Sequence, residues 1–266
     1  MTKVIGMAGF ASKVADKMMK QYGLFDSSGE SPSVTVVIPA FNEAGYVGNA
    51  VRSALNQVYR GSVVVMVVDD GSSDGTGKAA SEAGAKVYEI KNSGVSAARN
   101  YGMQKSDNDI VMFLDADSEM PSNAIARVVD SARKGYIAGS FSKSSGNPTD
   151  DLFNGYTNAV NSIFTPIRNI FGAVPSSGSG TCMYVCKHIA KKGNVRFNEE
   201  QTSREDSDFL CEMSRYGFVD FISDVEIKTS PRRSEGKSVA EIAAKKLTSY
   251  LNPCSKYGHI EGRMAA

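Results

Sequence analysis

The chain has 266 residues, 41% hydrophobic and 22% charged, enough to bury the core of one or two domains, which excludes fibrous and wholly disordered classes. Thirty basic against 29 acidic side chains leave a formal charge of +1, so no global field draws in nucleic acid or an anionic membrane and any anionic ligand must be caught locally. The longest unbroken aliphatic run, Val63 to Val68, is far shorter than the roughly 20 residues of a membrane span.

Residues 1–32 form an N-terminal annex. Phe10, Val14, Met18 and Tyr22 recur at four-residue steps beside Lys13, Lys17 and Lys20, the pattern of an amphipathic basic helix. Packing on the body, resting on a membrane surface and serving as a signal peptide all stay open for it. From Val34 strands alternate with helices, as in a parallel sheet with crossover helices. Val34–Pro39 is the first strand. Asn42 is placed to cap the next helix, whose apolar face is Val47, Val51, Ala54, Leu55 and Val58. The second strand, Val63–Val68, is apolar throughout, as a strand covered on both faces should be, and it runs into Asp69-Asp70. The turn Gly71–Gly75, a short helix to Ala83, a strand Lys86–Ile90 and a helix through Ser96–Gln104 lead to a fourth strand, Ile110–Leu114, which ends at Asp115. Pro121 then opens a helix carrying Ile125, Val128, Val129 and Ala132 and closed by Gly135. The fold class is α/β, with residues 33–118 as a doubly wound first half.

Residues 119–235 are less regular. Phe153, Tyr156, Val160, Ile163, Phe164 and Ile167 make a helical stripe in which Pro166 predicts a kink or break. A Gly/Ser loop, Ser176–Gly180, precedes a strand from Thr181. A helix over Glu205–Tyr216 and a strand Val219–Ile222 follow, and segment 236–258 holds an amphipathic helix, Val239–Leu251. The tail, 259–266, contains Ile260-Glu261-Gly262-Arg263, a protease sequence used to remove tags, and reads as an added scar. Four cysteines are too few for a disulfide framework and fit no zinc spacing. On one strand Cys182 and Cys186 lie roughly 13 Å apart, so reduced structural thiols and a cytoplasmic address are expected. Only His188 and His259 are histidines, too few for a histidine-rich zinc site.

Ligands of an open parallel sheet bind beyond the carboxyl ends of its strands. Asn42 and Glu43, Asp69 and Asp70, and Asp115 and Asp117 all fall there, although capping and turn roles would account for each singly. Asp115-Ala116-Asp117 carries the most chemistry. At a strand end, residues i and i+2 point to one side, so two hard carboxylates face a divalent cation such as Mg2+ or Mn2+. Such an ion takes one or two protein carboxylates and completes its shell with phosphate oxygens and water, which implies a diphosphate partner. Gly75-Thr76-Gly77-Lys78 and Gly236-Lys237-Ser238 are not phosphate loops: Ser72 and Pro231 stand where each first glycine belongs.

Val36-Val37-Ile38-Pro39-Ala40-Phe41-Asn42-Glu43, then Val68-Asp69-Asp70-Gly71-Ser72-Ser73-Asp74-Gly75-Thr76, resemble the nucleotide-binding half of the family 2 glycosyltransferases. Asn92-Ser93-Gly94-Val95-Ser96-Ala97-Ala98-Arg99-Asn100, Asp115-Ala116-Asp117 and Glu205-Asp206 continue that family's motifs in order, over roughly Val34 to Gly217. The resemblance implies a GT-A fold, with a Rossmann-like, mostly parallel central sheet and helices on both faces. It also implies a nucleotide-sugar donor held by residues 33–118, a divalent metal (Mn2+ or Mg2+) and inversion at the anomeric carbon. Pro39, Phe41 and Glu43 match the base and ribose pocket. Asp70 matches a carboxylate that accepts from uracil, and Arg99 a basic residue close to the nucleotide. Asp117 matches the direct metal ligand, with Asp115 facing the ribose or a bound water, and Asp206 matches the catalytic base. That role makes chemical sense, since a single displacement needs one carboxylate to take the acceptor's proton. The acids of Ser203–Asp208 also suit a helix N-terminus.

The expected function is transfer from a UDP-sugar to a hydroxyl of a glycan or lipid-linked acceptor, in the cytoplasm, and at the inner membrane face if the amphipathic segments bind lipid. Ser177–Gly180 is expected to approach the acceptor or the diphosphate, and Arg232 and Arg233 to meet phosphates or be solvated. A nucleotidyltransferase, which would leave Asp206 without a task, and a catalytically silent nucleotide- or sugar-binding protein are the alternatives.

Overall fold

The computed structural model describes residues 31–171, 180–201 and 203–233, with residue 241. The N-terminal annex, most of the Gly/Ser loop, the helix expected over Val239–Leu251 apart from Glu241, and the tail lie outside the described residues. The first half comprises β1 (Val34–Ala40), α1 (Val47–Leu55), β2 (Val63–Asp69), α2 (Thr76–Glu82), β3 (Lys86–Glu89), α3 (Val95–Lys105) and β4 (Ile110–Leu114). The second comprises β5 (Ser118–Glu119), α4 (Ala124–Arg133), β6 (Tyr136–Ser144), α5 (Pro148–Phe171), β7 (Cys182–Cys186), α6 (Lys187–Lys192), α7 (Glu205–Ser214), β8 (Phe218–Thr229) and a 3-10 turn, Pro231–Arg233.

One eight-stranded sheet, ordered β3-β2-β1-β4-β7-β6-β8-β5, runs through both halves. β3, β2, β1 and β4 are parallel, and β6 is parallel to β8. β7 is antiparallel to both β4 and β6, and β5 to β8. Parallel pairings therefore outnumber antiparallel ones four to three. β7 joins the halves: Leu114, the last residue of β4, pairs with Cys182, and Asp115 donates its N–H to the Thr181 carbonyl at 3.0 Å.

β1 and β4 are buried at every position, as continuous apolar strands covered on both faces must be. α4 buries Ile125, Val128, Val129 and Ala132 as its spacing requires. Three expectations are corrected. Asn42 caps no helix: it sits at φ 54°, and α1 starts after Tyr46 without a side-chain cap. Leu55 and Val58, assigned to the buried face of α1, are 44% and 74% exposed, because the helix ends at Leu55 and its stripe closes at Ala54. Pro166 does not end its helix, since α5 runs 24 residues to Phe171. That helix is started by Asn147, whose Oδ1 accepts from Thr149 N at 3.0 Å and Asp150 N at 3.2 Å, with Pro148 in the first turn.

Cys182 and Cys186 are free and buried; burial raises both thiols, Cys186 to about 12, which keeps them inert. Cys211 is disulfide-bonded, so the expectation that all cysteines are reduced does not hold. Among the described residues no helix is long and apolar enough to cross a membrane.

α3 reaches the sheet through Gly102. A Cβ there would overlap Val37 Cγ1 on β1 and lie 2.9 Å from Cγ2. Alanine gains up to about 1 kcal/mol of helix propensity over glycine, whereas overpacking a dense core costs about 1–3 kcal/mol. Gly102→Ala is therefore expected to lower stability, read as a smaller urea midpoint with an unchanged denaturant slope.

Candidate functional site

The loops beyond the carboxyl ends of β1, β2 and β3 are tied together by backbone amides. After β1, Asn42 N donates to Ser72 Oγ at 2.9 Å, Glu43 N to Thr76 Oγ1 at 2.7 Å and Ala44 N to Asp74 Oδ2 at 3.1 Å. Asn42 Oδ1 accepts from Ser73 N at 3.0 Å, which is the task it performs in place of capping. Asp70, 4% exposed, accepts Ser93 N on Oδ1 and Gly94 N on Oδ2, each at 2.7 Å. Gly94 sits at φ 92°, a conformation that glycine alone adopts without strain. The three loops thereby enclose one cleft, of ≈ 140 Å³, whose lining includes Pro39, Phe41, Glu43, Asp70 and Asp115. Phe41 is 45% exposed at its mouth. Glu43 Oε2 is buried and has no hydrogen-bond partner among the described residues, an acceptor available to a ligand hydroxyl.

Behind the cleft lies a buried charge network. Arg99, which the resemblance matches to a basic residue close to the nucleotide, is 2% exposed. Its Nη2 donates to Asp115 Oδ1 and its Nη1 to Glu205 Oε1, both at 3.0 Å, and Nη2 also reaches the Gly180 carbonyl at 3.3 Å. Its role is to fasten the end of β4 to the start of α7. Phe113, Phe197 and Phe209 reinforce the junction: Phe197 stacks on Phe209 at 4.1 Å, and Phe113 meets both edge-on. Asn100 locks Phe197 in place, exchanging two 2.9 Å hydrogen bonds with its backbone N–H and carbonyl.

Asp115-Ala116-Asp117 does not continue the strand. β4 ends at Leu114, and Ser118 N donates to the Asp115 carbonyl at 3.0 Å, closing a turn. The alternation of an extended strand therefore does not apply, and the two carboxylates meet different cations. Asp115 holds Arg99, while Asp117 Oδ2 accepts Arg232 Nε at 3.3 Å and Nη2 at 3.2 Å. Arg232 also pairs with Glu43 and lies over the Tyr46 ring at 4.8 Å. Arg232, left between phosphate contact and solvation by the sequence, thus belongs to the site. Among the described residues no three metal-binding groups converge. Each of these two hard carboxylates already faces an arginine; carboxylate oxygens are nevertheless the donor type that Mg2+ or Mn2+ takes, with diphosphate and water completing its shell.

Asp206 is half-buried in the first turn of α7. Burial, then the adjacent Glu205, hold its carboxyl above the ordinary range, with Arg99 and Lys143 opposing. Gly180 gives it room: a Cβ there would lie 2.8 Å from Asp206 Oδ2. Glycine composition marked this loop in the sequence, but nothing marked Arg99 as a bridge or Gly180 as a partner of Asp206.

Residues 35–191, more than half of the chain, match the sequence profile of Glycosyl transferase family 2. An undecaprenyl-phosphate 4-deoxy-4-formamido-L-arabinose transferase from Aeromonas hydrophila is 34% identical over 113 residues, 39% of this chain and 34% of the relative. The matched stretches span 13–40% of the curated relatives' own lengths. The mannosyltransferase PcManGT from Pyrobaculum calidifontis, in complex with GDP-Man and Mn2+, superposes with a TM-score of 0.63 at 18% identity, covering 97% of this chain and 75% of that one. The first 349 residues of TarS from S. aureus, in complex with UDP-GlcNAc, give a TM-score of 0.59 at 18% identity, covering 83% and 67%.

Two consequences follow from the site's electrostatics. Replacing Arg99 by Met strands the buried Asp115 and the partly buried Glu205, and breaking a buried pair in this way costs about 3–5 kcal/mol; the loss is expected in chemical denaturation. For Asp206 the sign is opposite. A carboxyl whose folded pKa exceeds its unfolded value of about 3.9 favours the native state when protonated, so its destabilising charge is fully present above the folded pKa. Asp206→Asn is expected to raise Tm at neutral pH, with the gain shrinking as pH falls toward about 4.

Proposed function

The chain belongs to glycosyl transferase family 2, and from that premise we propose that it transfers a sugar from a nucleotide-sugar donor to an acceptor hydroxyl with inversion. The observation that carries this reading is the cleft lined by Pro39, Phe41, Glu43, Asp70 and Asp115, whose Asp115 is joined through Arg99 to Glu205, the residue next to Asp206. In it, Phe41 offers an exposed ring to a base, and Glu43 Oε2 accepts from a ribose hydroxyl. Each Asp70 oxygen already accepts one amide but keeps a second lone pair, which suits the N–H of a uracil ring and favours a UDP-sugar. Asp206 takes the proton of the acceptor hydroxyl as its oxygen bonds to the anomeric carbon. The bond from that carbon to the diphosphate breaks, and the nucleoside diphosphate leaves. Asp115 and Asp117 would hold a divalent ion, whose chemistry is to neutralise the departing diphosphate.

The acceptor is assigned as a glycan or lipid-linked hydroxyl, at the cytoplasmic side. The undecaprenyl-phosphate transferase among the relatives supports the lipid-linked choice. A screen of UDP- and GDP-sugars with Mn2+ by thermal shift, followed by donor turnover, tests the reading; a ligand at about a hundred times its Kd stabilises by about 2.7 kcal/mol. Asp206→Asn is expected to lower turnover about a hundredfold or more with donor affinity retained, and Asp117→Asn to remove most Mn2+-dependent UDP binding. Donor binding without turnover in the wild-type chain would leave a silent binding protein.

A further inference from the structure

Arg232 occupies a distinctive position. Its guanidinium spans the carboxylates of Glu43 and Asp117, contacting Asp117 Oδ2 through both Nε and Nη2. The Arg232 side chain is 30% exposed and that of Asp117 2%, so the cation reaches solvent while the carboxylate it holds is buried. The backbone beneath is pinned, since Ser230 N donates to the Asp117 carbonyl at 3.0 Å, and the Tyr46 ring supports the flat face of the guanidinium. Arg232 is thus a long side chain on a fixed root, able to swing toward solvent without opening the core.

Resting on the donor-site reading above, we propose that Arg232 and a divalent cation compete for Asp117, and that donor binding transfers the guanidinium from Asp117 to the diphosphate. A guanidinium and a metal ion cannot both sit on the one Asp117 oxygen that Arg232 holds from two sides. Released from it, the planar fork of Arg232 matches the paired oxygens of a diphosphate as well as it matched a carboxylate. Metal alone would have to displace Arg232 with nothing to receive it. Metal arriving with a nucleoside diphosphate supplies that receiver, so the site favours the loaded pair over the bare ion. Arg232 acts in this scheme as a positioning residue that makes metal and diphosphate binding mutually reinforcing.

The test is Mn2+ binding and UDP binding by calorimetry on the full chain, for wild type, Arg232→Gln and Arg232→Lys. Arg232→Gln is expected to bind Mn2+ alone about tenfold more tightly and UDP in saturating Mn2+ about tenfold more weakly, within the usual range of coupling between two ligands. Arg232→Lys keeps the competing charge but loses the fork, so Mn2+ alone should bind as in wild type while UDP binding weakens. This reversal of sign is not produced by a side chain that merely supports the fold. Unchanged or weaker Mn2+ affinity in Arg232→Gln, with wild type still binding UDP and Mn2+ together, overturns the competition and leaves the donor site standing. Failure of the wild type to bind UDP with Mn2+ overturns both.

Discussion

The two-armed ion pair of Arg99 is the constraint on which the rest of the site depends. A guanidinium at 2% exposure is tolerable only if its charge is matched, because an unpaired charge at that depth costs several kcal/mol. Arg99 is matched from two directions, by Asp115 at the end of β4 and by Glu205 at the start of α7. The planar fork of arginine allows this, whereas a lysine ammonium would present one point charge to two carboxylates. The penalty for losing either arm makes the junction cooperative: α7 cannot drift from the sheet without stranding charge at the base of the cleft. Phe113, Phe197 and Phe209 then fill the space around it with rings whose stacking fixes the same approach.

What this arrangement confers on Asp206 is a demanding environment. Its neighbour Glu205 neutralises Arg99, so little of that positive charge is left to favour ionisation of Asp206, and burial works against it as well. A carboxylate held this way has a higher proton affinity than one in water, which suits the role of base proposed for it. Gly180, across from it, leaves room for the carboxylate, since a Cβ there would lie 2.8 Å from Asp206 Oδ2.

The sequence was most legible where burial is simplest. β1, β2 and β4 lie in the covered centre of the sheet, so they appear as unbroken apolar runs, and their ends were placed within about one residue. The positions of Glu43, Asp70 and Asp115 followed from those ends. β6 escaped notice because it buries Ser140 and Ser142, and a hydroxyl such as Ser142 Oγ, satisfied by the Val225 carbonyl at 2.9 Å, looks polar in a one-dimensional pattern. β8 was read short because a bulge between Ile222 and Glu226 interrupts its register with β6. The turn at Asp115–Asp117 defeated an argument that assumed extended backbone. Arg99 and Arg232 each act on residues at least 16 positions away in the chain, and no local spacing encodes such partnerships.

The distribution of charge gives these two arginines different capacities. Glu43, Asp70, Asp115, Asp117, Glu205 and Asp206 put six carboxylates in or behind the cleft, against Arg99, Arg232 and Lys143. A nucleoside diphosphate adds further negative charge, so the proposed donor can enter only with cations that face it. Arg99 cannot serve, since moving it would break the junction that holds α7. Arg232 can, because its side chain is ten times as exposed, 30% against 3%, although the Asp117 carboxylate that it holds is itself buried. One arginine is fixed by burial and sets the geometry; the other reaches solvent, and its contacts are the ones that the proposed donor would replace.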